Sequence, residues 1–169
     1  EGIANRGIFD LSSHEKASGK DLSYFDPQNN EKIIPTVIEP AGGLTRTLFA
    51  LLCSCYDEDE VNDTTRTLFR FDFNIAPIQI GILPLSKKDG LIEFSNNIKN
   101  ILQESYRTEI DVTQSIGKRY RRQDEIGTPY CITVDFDSLE DNTVTIRNRD
   151  SMDQERVAIT DLLGFFSDI

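Results

Sequence analysis

The sequence is poor in the residues that most hydrolytic and metal sites require. It contains one histidine, His14, and three cysteines, Cys53, Cys55 and Cys131. His14 stands alone in a polar stretch, so neither a metal site nor a nucleophile activated by histidine is expected around it. Cys53 and Cys55 are two residues apart on a predicted helix, so their side chains point in different directions. We therefore expect no hydrolase, no metal site, and three reduced thiols typical of a cytoplasmic protein.

Long apolar runs and an excess of basic residues are also missing. No stretch reaches eighteen apolar residues and no basic and apolar leader opens the chain, so we expect neither a membrane span nor a secretion signal. The net charge of −11, from 29 acidic and 18 basic residues, argues against indiscriminate binding to nucleic acid or anionic membranes. A polyanionic partner would have to meet a local basic patch. Because the chain lacks an initiator Met, we expect it to be a piece of a longer protein.

Strands and helices alternate regularly in residues 76–169. The apolar run PIQIGILPL, residues 77–85, is bounded by prolines and is typical of a strand covered on both faces. Residues 89–106 place apolar side chains at spacings of three and four, which predicts an amphipathic helix. Further segments continue the alternation as a strand, a short helix around residue 120, three strands and a last helix in TDLLGFFSDI. We predict an α/β fold with a mixed β-sheet flanked by helices.

The region from residue 1 to about 73 is less complete. It reads as a strand, a short helix, a β-hairpin over residues 22–40 and a helix from Leu44 to about Tyr56. The acidic run DEDEVND, residues 57–63, is predicted to end that helix as a solvated segment. Such elements leave a sheet edge unpaired, so we expect a poor domain when it stands alone.

The junction EPAGGLTR, residues 39–46, has the chemistry of a nucleotide site. A strand that ends near Pro40 and re-enters a helix at Leu44 presents free helix N–H groups, and the two glycines leave room for a ligand. Arg46 adds a planar cation that can stack on a base or bind phosphate. From these residues alone, a tight turn with a surface arginine is the alternative.

The cluster KRYRR, residues 118–122, is the second candidate site. It places four cations, Lys118, Arg119, Arg121 and Arg122, around one tyrosine in an acidic chain, as RNA phosphates and stacked bases require. Basic residues at the start of a helix also oppose its dipole, so helix stability does not explain them. The alternative is an internal ion-pair network, for instance Arg121 with Glu125, or Arg122 with the acids at 135 and 137.

Long stretches of the chain carry a family resemblance. Four of these stretches are, in order along the chain, GIANRGIFDL, KDLSYFDPQNNEKIIPTVIEP, LLCSCYDEDEV and SIGKRYRRQDEIGTPYCITVDFDSLEDNTVTIRNRDSMDQERV. With them the chain resembles, from end to end, the C-terminal part of the dimeric class II glycyl-tRNA synthetases. The resemblance implies a cytoplasmic homodimer that joins glycine to glycine tRNA through a glycyl-adenylate, with ATP as substrate and Mg²⁺ in the full-length enzyme. It implies that residues 1–73 close an antiparallel catalytic domain and that residues 76–169 form an anticodon-binding domain.

The resemblance also implies the site residues. EPAGGLTR corresponds to the third class II signature, whose arginine packs on the adenine of ATP. It implies that Glu39 and Arg46 are catalytic, that ATP binds Gly43, Leu44, Thr45 and Arg46, and that glycine binds Arg6, Glu39, Pro40, Ala41, Gly42 and Gly43. The other two signatures precede Glu1 in the family, so we expect the fragment alone to be inactive.

Two other functions compete with the synthetase. One is a non-catalytic relative, such as the accessory subunit of a mitochondrial DNA polymerase, which would not need Glu39, Gly43 and Arg46. The other is a generic α/β ligand-binding domain, for which the basic helix would have no use.

Overall fold

The computed structural model describes residues 1–61, 63–167 and 169. The chain divides into two compact units, Glu1–Leu51 and Leu52–Ile169, which are called unit 1 and unit 2 below. The sequence places its domain boundary later, between residues 73 and 76, and that boundary stays a prediction.

Unit 1 is built from short strands and helices. Its elements are β1 (Gly2–Gly7), α1 (Phe9–Ser18), β2 (Tyr24–Asp26), β3 (Glu31–Ile33), β4 (Val37–Ala41) and the first part of α2 (Leu44–Cys55). β2 and β3 form an antiparallel hairpin, whereas β4 pairs antiparallel with β1. The predicted hairpin therefore ends at Ile33, and the strand that leads to the candidate nucleotide site belongs to a second ladder.

Unit 2 opens with a hairpin of β5 (Tyr56–Val61) and β6 (Thr64–Phe69), called the linker hairpin below. The predicted helix end near Tyr56 is confirmed, since α2 ends at Cys55. The described part of residues 57–63 is not just a solvated segment, however, because it lies in this hairpin with alternate residues half-buried; Asn62 lies outside the described residues. The period of two in a strand sends alternate acids to the same side. There Asp57 and Asp59 meet Arg70, with distances of 2.5 and 3.1 Å from its nitrogens to their carboxylate oxygens.

The main sheet of unit 2 has five strands in the order β11-β10-β9-β7-β8. Its strands are β7 (Ile80–Pro84), β8 (Thr108–Ile110), β9 (Tyr130–Val134), β10 (Thr143–Asn148) and β11 (Gln154–Ala158). β7, β8 and β9 run parallel, and β10 and β11 complete the sheet in antiparallel pairs. The helices are α3 (Asp89–Leu102), α4 (Ile116–Ile126), α5 (Ser138–Asp141) and α6 (Leu162–Ser167). The predicted mixed sheet flanked by helices is confirmed; Asp168, in the predicted last helix, lies outside the described residues.

One face of this sheet is apolar. Alternate residues of β9 and β10 pack there against α3 and α6, and the cluster is at most 2% exposed: Ile80, Ile82, Leu91, Ile98, Leu102, Ile132, Val134, Val144, Ile146, Leu162 and Phe166. Complete burial of each such side chain stabilises the fold by about 1.5–3 kcal/mol. The core of unit 2 therefore lies on this face.

The opposite face is polar and carries α4. Cys131, Thr133, Thr145 and Arg147 occupy the intervening positions of β9 and β10. Burial raises the pKa of the Cys131 thiol to about 12, so it behaves as a small apolar group. α4 approaches closely at Gly81, where an added Cβ would lie 3.0 Å from Gln123 Oε1. No helix in the described part of the chain is long and apolar enough to cross a membrane.

Candidate functional site

The four cations of the basic cluster divide into two pairs on α4. Lys118 and Arg121 are exposed, and neither makes a hydrogen bond or ion pair within the described residues. The predicted pair of Arg121 with Glu125 is not formed there. Arg119 is only 3% exposed and Arg122 is half-buried. Two of the four side chains are thus free to meet a phosphate.

Arg119 serves the fold. Its Nη1 donates to the carbonyl oxygen of Pro84 at 2.5 Å, and its Nε and Nη2 donate to the carbonyl oxygen of Gln114 at 3.2 and 2.9 Å. These bonds tie the first turn of α4 to the end of β7. They also explain why a cation is tolerated near the N-terminus of the helix. The backbone carbonyl oxygens stabilise its charge and so offset the unfavourable interaction with the helix dipole. Contact of Arg119 with RNA would require these buried bonds to break.

Arg122 forms an ion pair, but not with the predicted partners. Its Nη2 lies 2.5 Å from Asp111 Oδ2 and it also donates to Thr113, so pairing with the acids at 135 and 137 was wrong. Burial acts to raise the pKa of Asp111, but hydrogen bonds from Thr113 and Arg122 outweigh it and hold that pKa below its usual range. Arg122 therefore fixes the loop before α4.

Tyr120 lies between the two exposed cations in sequence and faces the polar side of the sheet. Its hydroxyl bonds to Thr133 Oγ1, and the guanidinium carbon of Arg147 lies 4.8 Å from its ring centre. Arg147 is in turn held by Asp124 through two bonds of 2.9 and 3.0 Å. The ring is therefore a half-buried aromatic surface with a fixed orientation.

The polar face continues past Tyr120 onto β10 and β11. The register places Thr145 opposite both Thr133 and Arg156, and half-buried hydroxyl groups line this surface. Arg156 is bound by Asp135 at 2.7 Å and Asp141 at 3.3 Å. Sequence reasoning missed this surface, although alternation in TVTIRNR already places Thr145 and Arg147 on one face. Aromatic, hydroxyl and cationic groups together suit an unpaired nucleic-acid strand.

In unit 1 the junction between β4 and α2 borders a pocket. The pocket has a volume of about 710 Å³ and is lined by Glu1, Gly2, Ala41, Gly42, Gly43, Arg46, Thr47 and Ala50. Volumes of this size are common for small-molecule sites. Arg46 is exposed in the first turn of α2, and Leu44 and Thr45 precede it in the same turn. Thr47 donates its N–H and its hydroxyl to the carbonyl oxygen of Gly43, at 2.9 and 3.0 Å.

The backbone does not itself require glycine at this junction. Gly42 and Gly43 are absent from the positive-φ residues of the described chain. A Cβ at Gly42 would meet nothing within 4 Å, and one at Gly43 would make an ordinary contact of 3.6 Å with Arg46. The two glycines therefore border open space, where another molecule could approach the main chain.

Arg6 and Glu39 lie together on the adjacent strands. β1 and β4 pair so that Ala4 is opposite Glu39 and Ile3 opposite Pro40. Arg6 Nε lies 3.4 Å from Glu39 Oε2 and 2.9 Å from Asp10 Oδ2. The hydrogen bond with Asp10 raises the pKa of Arg6 and lowers that of Asp10. Two of the residues predicted to bind glycine are thus neighbours.

A metal site is not formed by this chain as described. In residues 1–61, 63–167 and 169, no group of three or more His, Cys, Asp or Glu side chains is placed to hold a metal ion. Mg²⁺ is commonly held by one or two carboxylates together with substrate phosphates, so its presence in the full-length enzyme stays a prediction.

Comparison with known families decides what this fold is. Residues 79–169 match the family model described as the anticodon binding domain. The chain belongs to the anticodon binding domain family.

Curated relatives of this anticodon binding domain extend the match over the rest of the chain. The glycine–tRNA ligase of Treponema denticola is 53% identical over 170 residues, which cover 97% of this chain and 38% of that protein. The glycine–tRNA ligase of Ruminiclostridium cellulolyticum is 56% identical over 166 residues, covering 98% and 36%. The family resemblance stated from the sequence is confirmed. The chain spans a little over a third of the length of these relatives.

Solved structures share the fold at lower identity. Prolyl-tRNA synthetase from Cryptosporidium parvum, complexed with L-proline and AMP, aligns with a TM-score of 0.56 and 20% identity over 60% of this chain and 22% of that chain. The RNA binding domain of threonyl-tRNA synthetase from Cryptosporidium parvum Iowa II gives 0.54 and 24%, over 59% and 25%. At these identities the likeness establishes the anticodon-binding fold alone.

Proposed function

We propose that the chain is the part of a glycine–tRNA ligase that reads the anticodon and that also forms one side of the ATP and glycine site. Family membership and the ligases that match along nearly the whole chain support the proposal. The observation that carries it is the Tyr120 ring, whose orientation is fixed by Arg147 and Thr133. In sequence it lies between Lys118 and Arg121, two cations that have no partner in the described residues.

Recognition of the anticodon would use two kinds of contact, those that position the RNA strand and those that read its bases. Lys118 and Arg121 bind backbone phosphates, which positions the strand without reading its sequence. An unpaired base stacks on Tyr120, and the hydroxyl groups of Thr133 and Thr145 contact base edges or ribose hydroxyls. Because the chain carries a net charge of −11, attraction at long range is absent and these short-range contacts must supply the affinity. We expect micromolar or poorer binding by the chain alone.

The junction in unit 1 would bind the other substrates. The N–H groups at the start of α2 and the open main chain at Gly42 and Gly43 suit the phosphate of ATP, and Arg46 stacks on its adenine. Glu39, next to Arg6, offers a carboxylate to the ammonium group of glycine. In the full-length ligase, a cytoplasmic homodimer, these residues would help form glycyl-adenylate before transfer to glycine tRNA.

In the full-length ligase we expect Arg46→Ala to raise the ATP requirement at least tenfold, or about 1.4 kcal/mol. Arg46→Lys should recover little, because an ammonium cannot stack as a plane. Pyrophosphate exchange at varied ATP concentration measures the effect. Unchanged ATP kinetics would remove Arg46 from the site.

A salt titration of anticodon stem-loop binding tests the proposed RNA surface. Replacing Lys118 and Arg121 with alanine should lower affinity and reduce the slope of log K against log salt by about 0.7 for each lost phosphate contact. Thermal stability should be unchanged, because both side chains are exposed.

The matched control removes the same charge elsewhere. Lys16→Ala with Lys99→Ala changes one lysine on α1 of unit 1 and one on α3, which packs on the apolar face of the main sheet, opposite α4. We expect this variant to keep the slope of the parent chain. An equal loss of slope in both double variants would show that net charge, and not the surface around Tyr120, determines binding.

A further inference from the structure

Asp124 is the buried acid beneath the proposed RNA surface. It lies near the end of α4 and is 2% exposed. Arg147 binds both of its carboxylate oxygens, and Arg66 Nη1 lies 3.3 Å from Oδ2. A charge buried in this way depends on its ionic partners. Removal of one partner leaves buried charge less well compensated, and the remaining side chains lose part of what holds them in place.

Arg66 comes from the linker hairpin, outside the span that matches the family model. It is 5% exposed and bonds to three parts of unit 2. Besides Asp124, it donates to the carbonyl oxygen of Arg149 at 2.9 Å and to Asp59 Oδ1 at 2.8 Å. One guanidinium therefore joins the hairpin to α4 and to the end of β10.

Close packing at Gly127 fixes the same end of α4. Gly127 ends the helix with φ +84°, and an added Cβ would lie 2.3 Å from the ring of Phe71 and 3.0 Å from Phe69 Cβ. The rings of Phe69 and Phe71 stack with their centres 5.2 Å apart. The hairpin and the residues after it thus hold the C-terminal end of α4, while Arg119 holds its N-terminal end.

We infer that Arg66 is a positioning residue for RNA reading: through Asp124 and Arg147 it sets the orientation of the Tyr120 ring on which a base stacks. The inference rests on the proposed function. The linker hairpin thereby supports the RNA-reading surface, although it precedes residues 79–169, which match the family model. Arg66 itself is buried and touches no RNA.

Stacking on an aromatic ring accepts any base, but a base held in a fixed stack on Tyr120 is presented to the hydroxyl groups of Thr133 and Thr145, which contact its edge. The expected effect is therefore on selectivity more than on affinity. Arg66→Met preserves length but removes every bond to Asp124, Asp59 and the Arg149 carbonyl, so Arg147 and Tyr120 lose their fixed arrangement. Lys118 and Arg121 remain in place to bind phosphates. The ratio of dissociation constants for a stem-loop with an altered anticodon base and the cognate one should fall about tenfold, while binding to the altered stem-loop changes little.

Arg70, which directly follows the linker hairpin, provides the matched control. It makes ion pairs of 2.5, 2.7 and 3.1 Å with Asp57, Asp150 and Asp59, but none with Asp124. Arg70 shares Asp59 with Arg66, but Arg70→Met leaves every bond of Arg66, Asp124 and Arg147 in place, so it weakens the hairpin while keeping the support of Tyr120. We expect it to keep the selectivity ratio.

A measurement without RNA separates this inference from the proposed function. Hydrogen exchange of the Arg147 guanidinium, followed by NMR in the free chain, should be faster in Arg66→Met than in the parent chain or Arg70→Met. If the parent chain binds no stem-loop, the proposed function fails and this exchange rate still decides whether Arg66 orders Arg147.

Arg66→Lys is the second variant, in case Arg66→Met does not fold. It keeps the buried charge but cannot reach three partners from one ammonium, so it should show the same changes to a smaller degree. Folded Arg66 variants with unchanged selectivity and unchanged Arg147 exchange would overturn the inference. So would equal changes in Arg70→Met.

Discussion

Unit 1 and unit 2 both contain large apolar residues but place them differently. None of residues 1–51, all of which the structure describes, is buried, and Ile3, Leu44 and Phe49 are 79%, 84% and 67% exposed. In unit 2, by contrast, residues such as Ile132 and Leu162 are completely buried. Burial of apolar surface is the main stabilising contribution to folding. Unit 1 therefore has the secondary structure of a domain without its core.

The difference follows from how the strands are paired. Unit 1 has two ladders of two strands each, and such ladders are marginal in water. The main sheet of unit 2 has five strands, with α3 and α6 on one face and α4 on the other. In the proposed full-length ligase, the remaining two thirds of the protein would supply the surface that unit 1 lacks. Apolar content alone does not distinguish the two units.

Hydrogen exchange should show the largest difference between the units. We expect amides of β1 and β4 to exchange at least about a thousandfold faster than those of β7 and β9, because local opening costs little where no core is broken. Exchange of the intact chain followed by mass spectrometry measures this. Equal protection of both sets of strands would contradict the comparison.

Two glycines with positive φ sharpen the comparison at single residues. Gly127→Ala should destabilise unit 2 by about 3 kcal/mol, because a left-handed backbone and a collision with Phe71 add together. Gly19 has φ +67° with nothing within 4 Å, so Gly19→Ala should leave the unfolding of unit 2 unchanged. Urea unfolding followed by circular dichroism gives both values. A small effect of Gly127→Ala would mean that Phe71 moves aside easily.

Acid should weaken unit 2 by a smaller amount. The hydrogen bond from Arg66 holds the pKa of Asp59 below its usual range. The pKa of Asp111 is also lowered, because the effect of burial is outweighed by hydrogen bonds from Thr113 and Arg122. A carboxyl with a lowered pKa in the folded state stabilises it above about pH 4 and loses that contribution as pH falls through the folded pKa. We expect a loss of less than about 1 kcal/mol for each carboxyl.

The measurement is the urea midpoint between about pH 6 and pH 3. Arg66→Met should show a weaker dependence on pH, because Asp59 then titrates nearer its ordinary value. A midpoint that rises on acidification would contradict the assignment.

The order of elements in residues 76–169 could be predicted because these segments carry clear periods. The buried run of β7 and the spacing in α3 are local signals, and both elements are confirmed. β5 has no such signal, since its residues alternate between acids that meet Arg66 and Arg70 and acids that face outward. A strand stabilised by ion pairs from its partner strand cannot be recognised from apolar pattern alone.

The candidate sites were predictable to different degrees. The grouping of residues 39–46 is local in sequence, and four of its members line one pocket: Ala41, Gly42, Gly43 and Arg46. The basic cluster is also local, but whether an arginine points inward depends on acceptors far away in sequence, such as the Pro84 carbonyl for Arg119 and Asp111 for Arg122. The surface on β10 and β11 required the strand register, which sequence patterns do not determine. Its residues were therefore missed.

The two faces of the main sheet differ in how they tolerate substitution. On the apolar face, side chains of similar volume can replace one another at modest cost, so the fold survives as sequences drift. On the polar face, Arg66, Asp124, Arg147 and Tyr120 depend on one another, and changes there must come together or not at all. The apolar face therefore tolerates replacement one residue at a time, whereas the polar face tolerates only coordinated replacement. The sheet in this way separates the residues that keep it folded from the residues that it presents to solvent.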